Sequence, residues 1–177
     1  LIVTGVQTCA LPISMTEVYL NAAGAFLPGD PVCNDNILDY IGIVDRHSER
    51  LGSLVLRQNG IKQRHYALNT DGAVTHTNAE MAAHAVRDLV QKSEIDLNDI
   101  DFLGTSTTQG DLLVPGHASM VHGELGIPPL EIANFQSVCA SSMMAAKTAC
   151  LNVRVGEKKT AVVTGSEFSS RWFRPGF

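Results

Sequence analysis

Cys139 stands where chemistry is easiest to place. A short apolar run over 130–135 breaks at Gln136-Ser137, a cysteine follows, and then comes a helix-forming stretch. The first turn of a helix carries unpaired backbone N–H groups and the positive end of the dipole, and both favour a thiolate. A thiol held there is a candidate nucleophile. The competing use of cysteine is as a small buried hydrophobe, and Cys150, well inside the same helix, fits that use. The helix itself carries Ala140, Met143, Met144, Ala145, Ala146, Ala149, Cys150, Leu151 and Val153, which do not gather on one face. A helix with no polar face is normally buried within a domain.

The other residues that could do chemistry point elsewhere. Cys9, Cys33, Cys139 and Cys150 show no CxxC spacing. They suggest neither a disulfide scaffold nor a zinc site, and a reducing, cytoplasmic setting is the default. His47, His65, His76, His84, His117 and His122 fall in loops or amphipathic helices. A lone histidine needs a positioned partner to act, so each reads as a surface or packing residue. His117 and His122 are five apart and lie on different helical faces, which argues against a metal pair.

Composition bounds the rest. The 177 residues suffice for one domain with a real core. Apolar content of 45% against 18% charged indicates a globular chain. A net charge of −5 argues against nucleic acid as the main partner. No apolar run approaches the roughly 20 residues needed to span a bilayer, so no membrane partner is expected.

The ends require separate treatment. Residues 1–14 read as the in-frame translation of a sequencing-library adapter, with Met15 as a natural start. A signal peptide would need a charged n-region, and this stretch has no lysine or arginine. A genuine strand is the other reading of this mildly apolar run. On the adapter reading Cys9 has no function, and the fold occupies 15–177, cut short on its C-terminal side.

The elements that must position Cys139 can be read in order. A strand is expected over 18–25, ended by Pro28-Gly29-Asp30-Pro31. Asn34 is expected to cap a short helix bearing Ile37, Leu38 and Ile41, and 45–58 reads as helical. Residues 61–67 read as extended. Thr77-Asn78-Ala79-Glu80 forms a capping box that opens a helix to about Lys92, with Met81, Ala82, Ala85, Leu89 and Val90 inward. A strand over 100–106 precedes the loop 107–115, and a helix over 116–125 is closed by Gly126. A strand over 130–135, the nucleophile helix over 140–155 and a strand over 160–166 complete the pattern. Such alternation predicts parallel neighbours joined by right-handed crossovers.

Ser137-Val138-Cys139-Ala140-Ser141-Ser142, the apolar helix and the strand Thr160-Ala161-Val162-Val163-Thr164-Gly165-Ser166-Glu167 together resemble the nucleophile region of thiolase-fold condensing enzymes. The branch they resemble is β-ketoacyl-acyl carrier protein synthase III. Asn59-Gly60-Ile61-Lys62-Gln63-Arg64 is similar to that branch's Gly-Ile-x-x-Arg turn, and Asp101-Phe102-Leu103-Gly104-Thr105-Ser106-Thr107-Thr108 to the strand before its substrate loop. The resemblance implies an α/β, thiolase-like layered fold, of which this chain is the N-terminal half, with a mixed or parallel sheet and a buried nucleophile helix. It implies that Cys139 accepts an acyl group from coenzyme A or acyl carrier protein. A malonyl-type or β-ketoacyl thioester then supplies the carbon nucleophile for a Claisen condensation, as in the start of fatty acid biosynthesis. It also implies a homodimer when full length, no cofactor beyond the thioester substrates, and no metal. The general base and second oxyanion donor come from the other half in this family, so the fragment alone is expected to be inactive.

Two departures bear on substrate. Where the branch has Arg-Thr-Gly-Ile, this chain has Gln58-Asn59-Gly60-Ile61. The coenzyme A contact then passes to Arg57 or Arg64, or neither, each being also readable as a solvated charge. A bulky aromatic of the family is replaced near Val114, which suggests room for a longer acyl chain; with the register shifted by one, Leu113 takes that place. Three other readings remain open. One is a hydrolase, which would want Gly-x-Cys-x-Gly where this chain has Ser137 and Ser141. Another is a non-catalytic thiolase-fold partner subunit. The last is a related synthase making dialkylresorcinol-like, cyclohexenone-like or head-to-head products.

Overall fold

The computed structural model describes residues 17–43 and 45–172. Two small strands, β1 (Val32–Cys33) and β2 (Gln63–Arg64), pair antiparallel around two helices, α1 (Ile37–Ile41) and α2 (Arg46–Gln58). The main body follows as α3 (Asn78–Gln91), β3 (Phe102–Ser106), α4 (His117–Leu125), β4 (Glu131–Phe135), α5 (Ser141–Arg154) and β5 (Ala161–Gly165). Its three strands are parallel throughout, in the order β4-β3-β5. Residue 103 aligns with 132 and 162, and 105 with 134 and 164.

That register sorts the side chains into layers, because successive residues of a strand point to opposite faces. Leu103, Ile132 and Val162 share one face, where they pack with Ala79, Ala82, Ala83 and Val86 of α3 and with Val121 and Leu125 of α4. Gly104 and Gly165 are on the other face, against α5: a Cβ on Gly104 would stand 3.6 Å from the Ala145 methyl, and one on Gly165 would stand 2.6 Å from Ser142 Oγ. The result is a three-layer half-sandwich with α3 and α4 above the sheet and α5 below. Right-handed crossovers demand this arrangement, since the chain steps from β3 to β4 and then back across to β5.

The predicted α/β class and parallel sheet agree with these elements, and the three predicted main strands are all present. Thr77 and Glu80 cap α3 reciprocally: the Thr77 hydroxyl accepts from Glu80 N at 3.1 Å, and Glu80 accepts from Thr77 N at 2.7 Å. That backbone N–H is the main reason the Glu80 carboxyl lies below its usual pKa.

Four expectations need correction. Residues 18–25 join no strand ladder. Their backbone is held by α3 instead, where Ala25 N donates to Asp88 and Gly24 fits directly against the Ala85 and Leu89 backbone. Ala85 and Leu89 therefore line a cavity of about 540 Å³ beside that segment, and the deep stripe of α3 is Ala79, Ala82, Ala83 and Val86. Asn34 does not cap a helix with its side chain; it spans to β2, donating to Ile61 O at 2.8 Å and accepting from Arg64 at 2.7 Å. Finally, α5 is buried on one side only. Ser141, Ala145 and Ala149 face the sheet, while Met143, Met144, Cys150, Leu151 and Val155 are exposed, Met143 by 72%. The burial expected of this helix belongs to the two-halved fold, in which a second layer lies beneath α5; no described residue supplies that layer, and an exposed apolar helix face is what the half alone is expected to show. The adapter reading of 1–14 lies outside the described residues.

Removing the α3 cap tests how much local order this helix start contributes. Thr77→Ala is expected to lower unfolding stability by about 1 kcal/mol, the usual cost of losing an N-cap hydroxyl, read as a lower urea midpoint at unchanged slope.

Candidate functional site

Strands β3 and β4 are neighbours whose following helices leave to opposite faces, α4 above and α5 below. Their C-terminal ends are thus forced apart, and in parallel α/β sheets ligands bind in this kind of crevice. Here it is a cavity of about 220 Å³ bordered by Thr105, Thr107, Leu113, His117, Phe135 and Gln136. Cys139 follows Gln136 by three residues, in a single 3-10 turn over Val138–Ala140 that leads directly into α5. Its side chain is exposed and free.

The turn is tightly tied. Val138 has φ +49°, the only non-glycine residue with positive φ among the described residues. Ala140 N donates to Ser137 O at 3.1 Å. The Ser141 hydroxyl accepts from Ser137 N at 2.6 Å and donates to Val138 O at 2.8 Å. Just behind, Ser142 Oγ is 2.7 Å from Ser106 Oγ, which donates to Thr164 O at 2.7 Å. This chain of hydroxyls seats the start of α5 on the ends of β3 and β5. Gly165 leaves the space for it.

The loop across the crevice is pinned at its base and free at its tip. Asp111 accepts from Asn78 N and Ala79 N, both at 2.9 Å, at the positive end of α3. It also pairs with Arg171 at 3.0 Å, and Arg171 donates to Gly110 O at 2.7 Å. Asn134 of β4 reaches under the start of α4, accepting from Ala118 N at 2.5 Å and from Thr105 Oγ1 at 3.1 Å. Gly116 is required there, because any Cβ would run into the Asn134 amide. Leu112, Leu113 and Val114 then project outward, with Leu113 95% and Val114 84% exposed.

Among the predicted residues, Leu113 borders the crevice cavity, Val114 is its neighbour on the loop tip, and Cys139 is exposed outside the cavity's lining, three residues past Gln136. Arg57 and Arg64 do not border it. Arg57 Nε donates to Ser53 O one turn back on α2, at 3.3 Å, and Arg64 is committed to Asn34 on the small two-stranded sheet. Sequence reasoning passed over Ser141, Asp111 and Asn134. The Ser137-x-x-x-Ser141 spacing was the available signal, since serine at a helix start commonly bonds backbone three or four residues back. Asp111 and Asn134 act across 16 to 60 residues of chain, and no local pattern announces them.

With this geometry in hand, comparison with known proteins is decisive. Residues 64–172 match the model of the thiolase N-terminal domain. The chain belongs to that family. It is 30% identical over 161 residues to β-ketoacyl-[acyl-carrier-protein] synthase III of Neisseria gonorrhoeae, covering 89% of this chain and 46% of the relative. Against the same enzyme of Caulobacter vibrioides the identity is 28% over 152 residues, covering 86% and 44%. Among solved structures, a tetronic acid condensing enzyme superposes with TM-score 0.73 at 27% identity, covering 89% of this chain and 46% of that one. The 3-oxoacyl-[acyl-carrier-protein] synthase III of Aquifex aeolicus VF5 superposes with TM-score 0.68 at 18% identity, covering 88% and 47%. The chain spans about half the length of the curated relatives it matches. The predicted family and thiolase-like fold are those found. No helix among the described residues is long and apolar enough to cross a membrane.

His117 is the titratable group most enclosed at this thiolase-family crevice. It is 4% exposed, with Nε2 3.1 Å from Ser166 Oγ. Burial lowers its pKa below the ordinary 6.5, partly opposed by the charges of Asp111 and Glu167. The folded state therefore takes up this proton less readily than the unfolded chain. Its contribution to stability is complete above about 6.5 and is lost as pH falls below that value. The urea midpoint is expected to drop between pH 7 and pH 5, and His117→Gln should make that drop smaller.

Proposed function

We propose that this chain is the nucleophile-bearing half of a condensing acyltransferase. The observation that carries the reading is the placement of Cys139: an exposed thiol on a strained turn, at the start of a helix and three residues past Gln136, which borders the β3/β4 crevice, in a chain of the thiolase N-terminal domain family.

The chemistry follows from that placement. The Cys139 thiolate attacks the carbonyl carbon of an acyl thioester, the tetrahedral oxyanion collapses, and the carrier thiolate leaves. The Cys139 N–H, at the open start of α5, is one donor for that oxyanion. A malonyl-type thioester then loses CO₂ to give an enolate. The enolate carbon attacks the acyl-cysteine carbonyl, forms the new C–C bond and expels the Cys139 thiolate. A β-ketoacyl donor would instead give up a proton to a base to form its carbanion. Coenzyme A or acyl carrier protein carries the thioesters. The resemblance assigns the base and the second oxyanion donor to the other half of such proteins, and the exposed Met143–Leu151–Val155 stripe of α5 is the face we assign to contact it. We further assign the loop tip at Leu113 and Val114 to limiting the acyl chain, in a homodimer of the complete protein. Arg57 and Arg64 remain the proposed phosphate contacts for coenzyme A.

A second reading keeps Cys139 and changes the product. Likeness to a tetronic acid condensing enzyme, 27% identical with TM-score 0.73, supports a specialised condensation, beside the 30% identity to synthase III that supports the first step of fatty acid synthesis. The same thiol would accept the acyl group in either case.

Incubating the complete protein with acyl thioesters of graded length, followed by peptide mass spectrometry, is expected to place the acyl mass on the Cys139 peptide. Cys139→Ser should reduce acylation by at least about 10³-fold, in line with removal of a covalent nucleophile. An acyl mass on any other residue refutes the mechanism.

A further inference from the structure

We propose that Ser141 is a positioning residue for Cys139: its buried hydroxyl ties Ser137 to Val138 and so holds the turn that presents the sulfur. This rests on the reading of Cys139 as nucleophile.

Val138 is the starting point. A β-branched residue at φ +49° is a genuine outlier, and such a conformation persists only where its surroundings over-determine it. Side-chain packing does not do so, because the Val138 side chain is 63% exposed. What remains is the backbone bonding on either side. Val138 O receives both the Ser141 N–H and the Ser141 hydroxyl, and the same hydroxyl receives the Ser137 N–H. Cys139 is thus bracketed by residues tied to one oxygen atom. Ser141 is only 2% exposed, so water cannot readily take the place of that oxygen. Ser142 acts elsewhere, since its hydroxyl goes to Ser106 on β3 and makes none of the bonds within the turn. Two adjacent serines therefore divide the work, one shaping the turn and the other seating the helix on the sheet.

Without the Ser141 hydroxyl, Val138 has every reason to relax to negative φ. The peptide between Ser137 and Val138 would rotate, carrying the Cys139 thiol and its N–H with it. Misplacement of a reacting group by about 1 Å can cost on the order of a hundredfold in rate.

The test compares Ser141→Ala, Ser141→Thr, Val138→Gly and the double variant Val138→Gly/Ser141→Ala in the complete protein. Two rates are read at fixed pH: acyl transfer to Cys139 from an acyl thioester, and alkylation of Cys139 by iodoacetamide, with Cys33 as an internal comparison. Ser141→Ala is expected to slow both Cys139 rates about tenfold or more while leaving Cys33 unchanged. Ser141→Thr, which keeps a hydroxyl, is expected to restore them to within about threefold. Glycine adopts positive φ without strain, so Ser141→Ala should cost much less in the Val138→Gly background. Wild-type Cys139 rates in Ser141→Ala overturn the proposal, and so does an equal loss in both backgrounds. If wild-type Cys139 takes no acyl group, the nucleophile reading fails by itself. The alkylation rates still decide whether Ser141 shapes the turn.

Discussion

Helix α5 can lie where it does only because almost nothing stands between it and the sheet. Gly165 leaves room on β5, where a Cβ would stand 2.6 Å from Ser142 Oγ, and Ala145 and Ala149 leave room on the helix. Close packing of this kind is unforgiving, since interiors have no slack to absorb an added methyl group. It makes α5 and the strands β3 and β5 one rigid unit. The start of α5 is therefore set by the sheet and not by a flexible connection, and a thiol placed at that start inherits the precision of the core.

Polar bonds then refine what packing has set. The Ser106–Ser142 pair closes the gap at the top of β3 and β5, and Asp111 closes the top of α3 against Arg171. Asn134 does the same for α4 from the end of β4. Each is a side chain from one layer that satisfies backbone or hydroxyl groups of another, so the crevice edge is held from three directions. The loop tip at Leu112 to Val114 escapes these ties and stays exposed. Fixed base and free tip are what a site needs if its chemistry is constant and its substrate length is variable.

The outer face of α5 has the opposite character. Met143, Met144, Leu151 and Val155 present apolar surface that the described residues leave uncovered. An apolar stripe along a helix continuous with the Cys139 turn is costly to leave in water. It agrees with a chain that spans about half the length of its curated relatives. The proposed catalytic partners of Cys139 would approach from this side or from the crevice mouth. The half-sandwich holds the proposed nucleophile, and the proposed reaction needs groups that the described residues do not supply.

The order of elements was legible because it is local. Hydrophobic period, the Thr77–Glu80 cap and the glycine at 126 depend on residues a few positions apart, and the helices and parallel strands fell close to their expected bounds. The singular position of Cys139 was legible too, since strand, turn and helix follow one another directly in the chain. The apolar surround of α5 was readable as composition, and an uncovered face followed from the resemblance to half of a two-halved fold, but which side would be covered was not readable. Residues 18–25 have a strand's composition, yet a ladder needs a partner edge, and α3 claims their backbone first. Equally hidden was the bonding that shapes the site, in which Asp111, Asn134 and Ser106 act on residues far along the chain. Sequence determined which segments are helix or strand and that Cys139 would fall at a helix start, because those depend on neighbours in the chain. Tertiary structure alone decided which side of α5 is covered, which loops are pinned and how the crevice opens, because those depend on what distant segments bring within bonding distance.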